Sequence, residues 1–98
     1  MITVALITDI TDSPAAQWQF DKVLAAIAYD CEMSIVFIHY GKQQLITNKA
    51  WKCLDLYGVE NVFYLADKTT AVEKPIFKAR EMSIEQLKTL LKRSDIII

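Results

Sequence analysis

The side chains best suited to chemistry are two thiols, one imidazole and the acids of two short stretches, "TDITDS" at 8–13 and "ADKTT" at 66–70. A thiol acts as a nucleophile or sulfur carrier only as its thiolate. Cys53 falls on the apolar stripe of an expected helix, where burial raises a thiol's pKa and makes it inert. Cys31 follows another expected helix and lies between Asp30 and Glu32. The negative end of the helix dipole and both carboxylates disfavour its thiolate. His39, the single histidine, ends an expected strand, the right place for a general base. Neither cysteine is expected at that edge and no serine is its obvious nucleophile, so a hydrogen-bonded structural or interface role is the expectation.

Asp9 and Asp12 could form the acidic cluster of a phospho-receiver, with Asp67, Lys68 and Thr69 following a later strand. A receiver also needs a lysine at a late strand end, and "SDIII" closes the chain with none after it. Turn and capping chemistry is the commoner use of Asp and Ser here. A dinucleotide or flavin site would need a glycine-rich loop so that backbone N–H groups approach the phosphates. "DITDSPAAQ" contains no glycine, so no bound cofactor is expected. The two cysteines are too few and too far apart for a zinc site or a disulfide framework, which suits a reducing compartment, and no metal is expected.

Trp18 and Trp51 sit off the apolar stripes of their expected helices, and Tyr40 follows a strand end beside His39. Exposed aromatics supply large contact area at little rotamer cost. Trp18, His39, Tyr40, Gln43 and Trp51 are therefore candidate interface residues; the alternative is that the tryptophans cover the edge of the core.

Three short runs rich in β-branched and aromatic residues, "ITVALIT" at 2–8, "MSIVFIH" at 33–39 and "NVFYLA" at 61–66, read as central strands of a parallel sheet, buried on both faces. Between the first two, Ala16, Phe20, Val23, Leu24 and Ile27 recur at helical spacing after Ser13-Pro14. Between the next two, Ile46, Ala50, Cys53, Leu54 and Tyr57 do the same, with Gly58 at the C-cap position and Gly41 allowing the strand-to-helix turn. "PIFKARE" at 75–81 reads as a strand nearer an edge. Ser83 and Gln86 form a capping box, Ile84, Leu87, Leu90 and Leu91 give a third helix its buried face, and "DIII" is a short fifth strand. This order implies right-handed crossovers and an α/β three-layer sandwich, a mostly parallel sheet of about five strands flanked by helices. Ligands and active groups of such sheets gather at the carboxyl ends of the strands, here 8–14, 39–44 and 66–72.

With 98 residues, residues 1–98 are expected to form one domain. Eleven basic and twelve acidic residues, with no run of like charge, leave no footprint for direct nucleic-acid binding. Residues 1–8 lack the features of a signal peptide, and no apolar run approaches the ~20 residues that span a bilayer, so a cytoplasmic protein starting at Met1 and free of the membrane is expected.

The opening "ITVALIT", the passage "VFIHYGKQQLI", the run "CLDLYGVENVFYL" and the ending "MSIEQLKTLLKRSDIII" together resemble the DsrE/DsrF-like sulfur-relay family, most closely its TusC/DsrF branch. The resemblance covers nearly the whole chain and implies a cytoplasmic subunit. Its partners would be two related subunits, of TusD/DsrE and TusB/DsrH type, in a hetero-oligomer that passes persulfide sulfur, in the Tus case toward 2-thiouridine in tRNA. Catalytic members of the family carry their sulfur on a cysteine just after the third strand, where this chain reads "FYLADKTTAV". The resemblance thus implies a non-catalytic scaffold; the alternatives are a rearranged relay using Cys31 or Cys53 as carrier and, from the acidic stretches, a receiver-like signalling domain. His39-Tyr40 stands where the branch has a small residue and an acid before the glycine, and the chain is shorter than typical members before its second helix.

Overall fold

The computed structural model describes residues 2–9, 13–29, 32–66 and 78–98. The three apolar runs form strands β1 (Ile2–Ile7), β2 (Glu32–Phe37) and β3 (Val62–Leu65), joined by β4 (Arg80–Met82) and β5 (Ile96–Ile97). All five pair in parallel in the order β4-β3-β2-β1-β5. The three continuous apolar runs take the central places, as burial on both faces requires. The "PIFKARE" strand lies later than expected: β4 holds only Arg80 and Glu81 of that stretch, while 75–77 lie outside the described residues. The expected edge position holds, and Arg80 and Glu81 are the exposed charged residues that blunt such an edge.

Helix α1 (Pro14–Ala28) starts as expected: Ser13 Oγ accepts from the Ala16 N–H at 3.0 Å and Pro14 fills the first turn, where a missing N–H costs nothing. Its apolar stripe lies over one sheet face, where Ala5, Ile7, Met33, Ile35, Phe37 and Val62 form a core with Val23, Phe20 and Ile27. Helix α4 (Ile84–Arg93) covers the opposite face, with Leu87, Leu90 and Leu91 against Val4, Val36, Leu65 and Met82. Its capping box is complete, although Ile84, expected on the buried face, is exposed.

The two faces follow from the strand order. From β1 to β2 the chain advances across the sheet on one side, whereas from β4 to β5 it returns across the whole sheet. Keeping both crossovers right-handed puts α4 on the face opposite α1. The layers are thus helix, sheet, helix, with the carboxyl ends of the parallel strands at one edge.

The segment expected as one second helix is instead four short pieces. A 3-10 turn at His39–Gln43 runs into α2 (Gln44–Thr47); after Asn48 a second 3-10 turn, Lys49–Lys52, runs into α3 (Cys53–Leu56). Asn48 breaks the run: its backbone is extended and its Oδ1 accepts from the Ala50 N–H at 3.1 Å, restarting the helix as an N-cap. The break moves the buried stripe. Leu45, Trp51 and Leu54 are fully buried, while Ile46, Ala50 and Tyr57, all expected on the stripe, are exposed. Gly58 does sit just past the helix end, at φ 71, its N–H donating to Asp55 O. Among the described residues, no helix is long and apolar enough to cross a membrane.

Candidate functional site

The carboxyl edge is built where β1, β2 and β3 end. Thr8 and Asp9 follow β1, Ile38 to Lys42 follow β2, and Leu65 and Ala66 close β3. Gly41 joins the first two: its backbone lies so close to β1 that a Cβ on it would run into the Ile7 carbonyl. The residue that turns the chain out of β2 is not Gly41 but His39, at φ 49, a left-handed conformation that histidine tolerates better than most side chains. Gly41 is needed for close approach rather than for a positive φ, and the Ile38 N–H donates to Ile7 O at 3.0 Å beside it.

This approach seats two polar side chains inside the protein. Lys42 is 1% exposed, and its Nζ donates to the Leu65 carbonyl at 3.0 Å, fastening the turn after β2 to the end of β3. Gln44 is fully buried; its Nε2 donates to Asp9 O at 2.7 Å, and its Oε1 accepts from Trp51 Nε1 at 2.8 Å and Asn48 Nδ2 at 3.2 Å. A buried amide keeps its place only if its donors and acceptors are used. Here they tie the end of β1 to the two turns of the broken helix. From α1, Gln19 Nε2 donates to Leu6 O at 3.0 Å, and its Oε1 accepts from the Thr8 N–H at 3.4 Å. Thr8 Oγ1 in turn donates to an Asp9 carboxylate oxygen at 3.3 Å.

The expected site residues divide between surface and core. Trp18, 64% exposed, lies on the outer side of α1 with Lys22 Nζ 5.3 Å from its ring centroid. Tyr40, 72% exposed, stands beside exposed His39 and Gln43 at the carboxyl edge. Trp51 does not join them, correcting its reading as an aromatic off the buried stripe. It is fully buried, edge-on to Phe20 at 4.8 Å and to Phe37 at 5.2 Å between ring centroids. Its placement follows from the helix break at Asn48 and from the Gln44 acceptor that satisfies its indole N–H.

Cys53 begins α3 and is half-buried, and burial pushes its thiol up from the ordinary 9.0, opposed in part by a backbone hydrogen bond. It is therefore protonated at neutral pH, although it is only half-buried and stands outside the core cluster, not packed within it as its place on the expected stripe implied. Cys31, Asp12, Asp67, Lys68 and Thr69 lie outside the described residues. Among the described residues, no three His, Cys, Asp or Glu side chains cluster to hold a metal ion.

Lys42 and Gln44 are the site residues that sequence reasoning missed. For Gln44 the only signal was residue type, an amide acceptor seven positions before an indole donor, since the break at Asn48 leaves no helical spacing between the two. For Lys42 there was none, because its partner is a backbone carbonyl in a strand 23 residues away. Comparison with family models and with curated proteins finds no match to this chain.

Proposed function

We propose that this chain is a non-catalytic, TusC/DsrF-like subunit of a cytoplasmic sulfur-relay complex, a scaffold that positions a cysteine-bearing partner for persulfide transfer. Formation of 2-thiouridine in tRNA is one destination of such sulfur. The partners would be related subunits of DsrE/TusD and DsrH/TusB type. The all-parallel five-stranded sheet between helical layers is the architecture that the resemblance implies.

The carboxyl end of β3 carries this reading. A relay cysteine in this family would stand there, but the chain has Leu65 and Ala66, with the Leu65 carbonyl held by the buried ammonium of Lys42. Cys53, with its raised thiol pKa, begins a helix of the middle segment instead. Tyr40 and Trp18 give the scaffold exposed aromatic surface of the kind that partners bury.

Native mass spectrometry on the chain, purified from its own cells at its normal abundance, tests the assembly. We expect a hetero-oligomer containing a related subunit with a cysteine after its third strand. A chain recovered alone, or only with copies of itself, would contradict the proposal.

A further inference from the structure

The two long helices differ in what they turn away from the sheet. On α4 the exposed side carries Glu85, Lys88, Lys92 and Arg93, a solvated face. On α1 the exposed residues Ala15, Trp18, Lys22 and Ala25, continued by the C-cap Tyr29, recur at spacings of three and four in turn. That is the seam by which one helix packs along another, and all but Lys22 are apolar. A helix that is apolar on its outer side as well as over the core is built to be covered on both. Trp18, 64% exposed, and Tyr29, 84% exposed, supply the large side chains, and Ala25 between them lets a second backbone come close.

Charge says what covers it. Asp21 and Lys22, both exposed at the middle of α1, stand ~100° apart around the axis, one on each flank of the seam. Lys22 Nζ lies 5.3 Å from the Trp18 ring centroid, and an Asp21 carboxylate oxygen accepts from Gln17 Nε2 at 2.9 Å, so each charge is held along its own flank. A two-fold axis parallel to α1 sets the acidic flank of one copy against the basic flank of the other, twice; an axis across the helices sets like against like. We propose that two copies of this chain associate through the outer faces of α1, side by side and parallel. Trp18 and Tyr29 then meet their counterparts, Ala25 marks the closest approach, and Asp21 of each copy faces Lys22 of the other. The contact is a single helix face ~22 Å long, short of the ~800 Å² per partner of a standard interface, so the dimer is weak and reversible. It does not depend on the sulfur-relay reading.

The test is sedimentation velocity on the purified full chain over a concentration series reaching about 0.5 mM, where interfaces of this size hold. We expect monomer to give way to dimer as concentration rises. W18S and A25E, both at exposed positions, should each abolish the dimer while leaving the urea midpoint of the monomer in place. D21K puts lysine on both flanks and K22D puts aspartate on both, so each alone should dimerise about tenfold more weakly, and an equal mixture of the two should recover the dimer. A chain that stays monomeric throughout, a dimer undiminished by W18S or A25E, or a mixture of D21K and K22D no stronger than either alone would each overturn the proposal.

Discussion

A buried amide decides much of the local order at the carboxyl edge. Gln44 has three partners, and the most demanding is the indole N–H of Trp51, which lies in a fully buried ring and has no water to turn to. Stranding a buried donor costs about 1–3 kcal/mol, more than the net gain of making an ordinary hydrogen bond. We therefore expect Gln44→Leu to lower stability by about 2–3 kcal/mol in urea unfolding. Trp51→Phe should cost less in the Gln44→Leu background than in the wild type, since the stranded donor goes with it. Strictly additive losses would mean that the bond contributes little. The same pair marks the limit of legibility at this scale. Side-chain types at 44 and 51 suited each other, but a helical wheel drawn through an unbroken segment put Trp51 off the stripe.

Among the elements, those whose signals are local were legible. The three continuous apolar runs became the three central strands, Ser13-Pro14 opened α1, and the Ser83–Gln86 box opened α4. The middle segment was not, because its course depends on one Asn48 side-chain bond and on a turn pressed against another strand. That contact gives a prediction. At Gly41 an added Cβ would meet backbone, the Ile7 carbonyl, which cannot swing aside as a side chain can. Gly41→Ala should cost about 2–3 kcal/mol through overpacking, measured by the shift of the urea midpoint at unchanged slope. Gly58 offers the comparison: no atom lies within 4 Å of its added Cβ, and its φ of 71 is the only obstacle. Gly58→Ala should be the milder change, at about 1–2 kcal/mol. If the order reversed, the close approach to β1 would not be what requires glycine at 41.

On the scale of the whole molecule, the fold presents two unlike edges. The carboxyl edge is cross-tied by Lys42, Gln44 and Gln19 and shows Tyr40 and His39 outward; the amino edge exposes Tyr29 and Leu56. The proposed scaffold role rests on the sequence after β3, which holds no cysteine, and on the exposed ring of Tyr40 at the carboxyl edge. The layered architecture was readable from the order of apolar runs and helical stripes, because burial on both faces leaves a distinct pattern. The proposed function turns instead on a single position, the end of β3, where the sequence has Leu65 and Ala66. The most direct test is to incubate the purified chain with a cysteine desulfurase and sulfur-35 cysteine, then look for protein-bound persulfide under non-reducing conditions. The account predicts no stable label on this chain, and label on its cysteine-bearing partner once that is added. Stable label at Cys31 or Cys53, lost when that cysteine is changed to serine, would contradict it.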